Sequence, residues 1–196
     1  MEQKMVKELL LQSLEHEMGG TKVYQTALKC VVNEDLKEEW EKYLEETEKH
    51  VQVLHDVCLQ MNIDPEEQTP GRKITHDMGA SLVAAMEAAL GAGDKAMAEC
   101  VAAECVVHAE TTDHFNWQLI GEVAEKMTGA DGKALKEAYQ EVEDEEDEHL
   151  YHSKGWLREL SLQGLGLKAV LPPPEEQKDV KSAIGQARAE QSRRSR

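Results

Sequence analysis

Aromatic residues make up only 4% of this 196-residue chain, with a single Phe. Sheets draw on aromatic and β-branched side chains, so a sequence rich instead in Ala, Leu, Glu, Lys and Met points to helices. Proline is scarce. Three of the five prolines stand together at Pro172-Pro173-Pro174, leaving long stretches that helices can occupy unbroken. Basic charge is also short, with 22 Lys and Arg against 39 Asp and Glu and a formal net charge of −17. No basic face is therefore available to neutralise phosphates, which excludes a nucleic-acid partner. No apolar run approaches the roughly 20 residues that cross a bilayer. The start, Met1-Glu2-Gln3-Lys4, lacks the apolar stretch of a signal peptide, and a cytoplasmic location is expected. Cys30, Cys58, Cys100 and Cys105 form no CxxC pair and read as reduced thiols in helices. Gly91-Ala92-Gly93 is a helix break rather than a nucleotide-binding loop.

Length suits one domain with a sizeable core. Four long helical patterns run over about 2–32, 35–61, 94–127 and 133–160, with short turns at Asn33-Glu34 and Thr128-Gly129. Each short turn makes an antiparallel hairpin. The connection from 62 to 93 is long enough to cross the bundle, and its Ala- and Met-rich part, about Asp77 to Leu90, reads as a short helix for close packing or a dimer contact. The expected domain is an all-α four-helix bundle over 1–163. A polar C-terminal extension, expected to be partly disordered, follows over 164–196.

Each helix carries a stripe at alternating four- and three-residue steps, the spacing of a bundle core. The first reads Leu10, Leu14, Glu17, Thr21, Tyr24, and the second Trp40, Tyr43, Thr47, His50, Leu54. The third reads Ala103, Val107, Glu110, His114, Trp117, and the fourth Val142, Glu146, His149, Ser153, Trp156. Polar groups interrupt all four near mid-length. An acidic run alone is an ordinary solvated face, but a charge inside an apolar seam is costly unless it is paired, protonated or bound to a metal. Glu17 and His50 lie about equally far from the first turn, and Glu110 and His149 from the second, so the four can share one level. Oxygen and imidazole donors suit iron, manganese or zinc.

The pattern resembles the ferritin-like superfamily of bacterioferritins, rubrerythrins and related di-metal carboxylate proteins. That pattern is one Glu from each of two helices and Glu-x-x-His from each of the other two. Glu17 and Glu110 resemble the single glutamates, and Glu146-Asp147-Glu148-His149 matches one ExxH. Thr47-Glu48-Lys49-His50 resembles the other, with Thr47 where the family has a ligand Glu. Glu46, one turn before His50, and His114, one turn after Glu110, are the residues that could compensate. The resemblance implies a bundle binding one or two metal ions. Its expected ligands are Glu17, His50, Glu110, Glu146 and His149, with Glu46 and His114 as additions.

His16, His108 and His152 fall off the seams and are expected beside the site or at the surface, with His55 and His76 exposed. Tyr24 and the tryptophans are expected to pack. No HxxxH pair supports a hemerythrin-like site. Three functions follow: a non-haem iron or manganese centre reacting with oxygen or peroxide and fed by an external electron donor, metal storage without catalysis, or a metal-free scaffold. A homodimer or larger homo-oligomer is expected.

Overall fold

In a computed structural model, residues 2–168 are described, and they form five helices and no strand. Local signals set the helix ends. α1 spans Gln3–Cys30 and α2 spans Glu34–Gln60. Between them the Asn33 side chain accepts from the backbone N–H groups of Asp35 and Leu36, satisfying donors that the first helical turn leaves open. Glu99, distant in sequence, closes the same turn by accepting from Val32 and Asn33 N–H at 2.7 and 2.6 Å. α2 stops where Asn62 turns left-handed at φ 55°, with Ile63 N–H reaching back to Cys58 O.

α3 covers Pro70–Gly91, starting earlier than the expected Asp77. The Thr69-Pro70 pair starts this helix rather than preventing it. Thr69 Oγ1 accepts from Arg72 N–H, and Pro70 occupies the first turn, where a missing N–H costs nothing. α4 spans Lys95–Lys126, capped by Asp94, and α5 spans Gly129–Gly164. The expected extension over 164–196 lies almost wholly outside the described residues.

α1 packs against α2 and α4, and α5 packs against α4 and α2, so α2 and α4 lie on one diagonal. α3 crosses outside, over α1 and α4. Its approach to α1 is close at Gly19 and Gly79: a Cβ on Gly79 would lie 3.7 Å from the Gly19 Cα. The chief tether of this crossover is Arg72, fully buried, whose Nε donates to Glu15 Oε2 at 2.7 Å and whose Nη1 donates to the Pro65 and Glu67 carbonyls. Two apolar clusters fill the bundle, one on each side of the polar mid-section. Tyr24, Leu36, Trp40 and Val106 belong to one, and Leu10, Leu54, Ile120 and Leu135 to the other.

A second buried polar cluster supports that mid-section from the side of the first apolar cluster. Glu39 Oε1 accepts from Tyr43 Oη at 2.6 Å and meets His152 Nδ1 at 2.8 Å, while Trp156 Nε1 donates to Oε2 at 2.8 Å. His152 is thus buried in the packing rather than at the surface. Burial alone would raise the Glu39 carboxyl, but His152, Tyr43 and Trp156 outweigh it and hold the group below its ordinary value. A depressed carboxyl contributes stability above its unfolded value, and this contribution is lost as pH falls through the folded value. Glu39→Ala should therefore cost about 3 kcal/mol at neutral pH, a fall in Tm of roughly 6–12 °C for a chain of this size. In thermal melts, the gap to wild type should narrow on acidification below the ordinary Glu range.

Candidate metal centre

Between the two apolar clusters, four helices deliver carboxylates and imidazoles to one buried layer. α1 brings Glu17 and α2 His50, whose Nδ1 lies 3.6 Å from Glu17 Oε1. α4 brings Glu110, and α5 brings Glu146 and His149. Glu146 stands between the imidazoles, its Oε1 at 3.0 Å from His50 Nδ1 and 3.6 Å from His149 Nδ1. Glu110 Oε2 is 3.6 Å from His149 Nδ1. The two rings lie 5.7 Å apart at 29°. The four residues levelled from the turns, Glu17, His50, Glu110 and His149, thus lie together with Glu146, one helical turn before His149.

The outer atoms of these side chains are fixed by protein. His50 Nε2 meets Glu145 at 2.8 Å, and His149 Nε2 meets Glu46 at 3.0 Å. The two carboxylates are placed alike: Glu145 immediately precedes Glu146 on α5, and Glu46 immediately precedes Thr47 on α2. Trp117 Nε1 donates to Glu17 Oε1 at 2.7 Å, and Tyr24 Oη donates to Glu110 Oε1 at 2.8 Å. The Tyr43 ring packs on His149 at 4.2 Å. Tyr24 and Trp117, expected only to pack, therefore also donate to the layer.

The inner atoms have no such partners. Glu17 Oε2, Glu110 Oε2, both oxygens of Glu146, and Nδ1 of His50 and His149 are buried without a hydrogen bond. Buried polar groups are normally satisfied, so several unpaired donor atoms facing one another form a set that could hold a cation. Asp113 Oδ1 is another such atom. One atom each from Glu17, Asp113 and Glu146 lies within 4.8 Å of the others, as does one each from His50, Glu146 and His149.

Asp113 was not expected. The α4 stripe assigned from sequence stepped four residues from Glu110 to His114, whereas the buried face steps three: Ala103, Val106, Glu110, Asp113, Trp117, Ile120, Ala124. Asp113 was visible as the i+3 neighbour of Glu110, and starting the alternation with a step of three would have found it. Consequently His114 does not reach the layer; its Nε2 lies 2.8 Å from Asp147 near the surface. Nor does Glu46 offer an inner oxygen, since it turns to the far nitrogen of His149. Thr47 supplies nothing to the layer either: its hydroxyl donates to the Tyr43 carbonyl, and its methyl lies 3.2 Å from where a Cβ on Gly20 would stand. The carboxylate lacking on α2 is matched by Asp113, diagonally across the bundle.

Electrostatics follow from this crowding. Burial raises the Glu17 carboxyl well above its ordinary value, and neighbouring Asp113 adds to it. Burial likewise raises Glu146, with Asp113 and Glu110 adding, and raises Asp113 itself. Burial would depress His149, but Glu110 and Glu46 overcome it and push the imidazole to about 10. Burial opposes ionisation of Glu110, yet His149 and Tyr24 hold its carboxyl below the usual range. Glu17, Glu110, Asp113 and Glu146 as carboxylates, with neutral imidazoles, balance two divalent cations, so the donor set fits a two-iron centre.

Among the described residues, no helix is long and apolar enough to cross a membrane. No curated protein and no solved structure gives a match. The model of the family described as ubiquinone biosynthesis protein COQ7 matches residues 7–159, which include every residue of the layer. This chain therefore belongs to the COQ7 family, di-iron carboxylate proteins of the ferritin-like superfamily.

Proposed function

We propose that this chain is a di-iron oxidoreductase that uses dioxygen to hydroxylate an apolar, ring-bearing substrate. The observation that carries the reading is the ring of orphaned inner atoms on Glu17, His50, Glu110, Asp113, Glu146 and His149. Family membership supports iron and oxygen chemistry, and the family's description points to a ubiquinone precursor as the class of substrate. Such a molecule combines an electron-rich ring with an apolar tail. The balanced reaction consumes one substrate C–H, one dioxygen, two electrons and two protons, and yields the C–OH product and water. An external donor supplies the electrons.

When bound, two ferrous ions would supply the electrons that activate dioxygen. The protein's part is positioning. Glu145 and Glu46 hold the outer nitrogens of His50 and His149, which leaves both Nδ1 atoms facing inward. Trp117 and Tyr24 each fix one oxygen of a glutamate and leave the other facing the layer. Tyr24 holds a proton at Glu110, and burial keeps its phenol protonated. The apolar clusters above and below exclude water.

A cavity of about 400 Å³ between α1, α3 and α4 is suited to the substrate. Val23, Ile74, Met78, Leu82 and Ala109 give it apolar walls, and Gly19 and Gly20 leave room along α1. Its inner end reaches His16 and Ala109, the neighbours of Glu17 and Glu110 in sequence. His16 Nε2 meets the Ala109 carbonyl at 3.0 Å, tying α1 to α4 there.

Elemental analysis of protein reconstituted anaerobically with ferrous iron should find two irons per chain. Asp113→Ala should lose at least one of them, yet melt at the same or higher temperature when metal-free, because it removes a buried repulsive carboxylate. A variant that keeps both irons would overturn the role of Asp113, and wild-type protein unable to take up iron would overturn the function.

Leu82→Trp should narrow the cavity. With a short-tailed quinone precursor, KM should rise about tenfold or more, while iron content and the substrate-free reaction of the reduced centre with oxygen stay unchanged. An unaltered KM would place the substrate elsewhere.

A further inference from the structure

A second opening reaches the layer from the opposite side of α4. It is a cleft of about 230 Å³ between α4 and α5, lined by His114, Trp117, Gln118 and Tyr139 and by four acidic residues of α5, Glu143, Asp144, Glu146 and Asp147. Its rim and its floor differ in kind. At the rim, Glu143 and Asp144 are exposed, and Asp147 is half-buried with Oδ1 at 2.8 Å from His114 Nε2. At the floor lies Glu146, fully buried, with both oxygens lacking a hydrogen-bond partner. Trp117 closes the floor beside it.

We infer that this cleft is the loading port through which divalent iron reaches the centre, with Asp147 and His114 as relay ligands and Glu146 as the receiving one. The inference rests on the di-iron reading above. Three observations carry it. First, the cleft holds several water volumes, each about 30 Å³, enough for a partly hydrated cation. Second, its donors grade inward from exposed carboxylates through a carboxylate–imidazole pair to an unpartnered carboxylate of the centre itself. Oxygen and imidazole donors in that order exchange the shell of a ferrous ion stepwise. Third, the substrate cavity between α1, α3 and α4 has mainly apolar walls, whereas the cleft between α4 and α5 is mostly polar and offers a cation more ligands. The separation also gives a role to the acidic stretch of α5, which concentrates cations at its mouth through long-range attraction.

The test is the rate of metal uptake by chelator-stripped protein, followed by the visible absorption of Co(II) in a stopped-flow instrument. His114→Gln combined with Asp147→Asn should slow uptake about tenfold, with unchanged final Co(II) per chain and an unchanged spectrum. Glu34→Gln removes the same single carboxylate charge from the start of α2 and should stay within about twofold of wild type. Full loading of the port variant at the wild-type rate would overturn the port and leave the centre intact. A lower final Co(II) content or an altered spectrum would overturn it too, because His114 and Asp147 would then be ligands of the centre. Equal slowing by the α2 variant would reduce the effect to net charge and overturn it. Wild-type protein that takes up no Co(II) and no ferrous iron would overturn port and function together.

Discussion

Everything in this molecule is arranged around the mutual repulsion of carboxylates buried at one level of a helical bundle. Burial raises the carboxyls of Glu17, Asp113 and Glu146, Asp113 adds to the first and last and Glu110 to Asp113, and among the described residues no Lys or Arg side chain joins the group. Desolvation makes such a cluster costly for folding and correspondingly attractive to small cations. The rest of the structure bears that cost. Apolar clusters brace the layer from both sides, and Glu145, Glu46, Trp117 and Tyr24 hold its outer atoms so that the inner ones cannot turn away. The Glu39 cluster, satisfied by Tyr43, His152 and Trp156, shows the contrast: a carboxylate of similar burial whose oxygens are all engaged has no room for a metal.

Much of this was legible in the amino-acid order. The α2 stripe from Leu36 to Val57 is buried at every assigned position, and the α5 stripe placed Glu146 and His149 correctly. Turn distances put Glu17 beside His50 and Glu110 beside His149, because antiparallel helices share one rise per residue. The α4 stripe failed for a physical reason. A bundle seam alternates steps of three and four, and both phases pass through Ala103, Glu110, Trp117 and Ala124. The intermediate positions alone distinguish them, and there the choice of Val107 and His114 over Val106 and Asp113 exchanged a buried carboxylate of the layer for a half-buried histidine outside it. Partners that lie far apart in sequence, such as Glu145 with His50 or Glu39 with His152, leave no local trace. They depend on which helices become neighbours.

The division of access follows from topology. α3 lies over α1 and α4, so the apolar cavity opens beneath it, while no other described helix lies over the acidic α4–α5 face. One bundle thereby offers two approaches of opposite polarity to one layer. Arg72, held by Glu15 and by the carbonyls of Pro65 and Glu67, keeps the covering helix in place and so maintains that difference.

The shift of a carboxylate from α2 to α4 also unbalances the two halves of the chain. α4 and α5 carry Glu110, Asp113, Glu146 and His149, whereas α1 and α2 carry only Glu17 and His50. Each hairpin by itself thus carries an incomplete part of the layer, and the six side chains meet only where the two hairpins pack together.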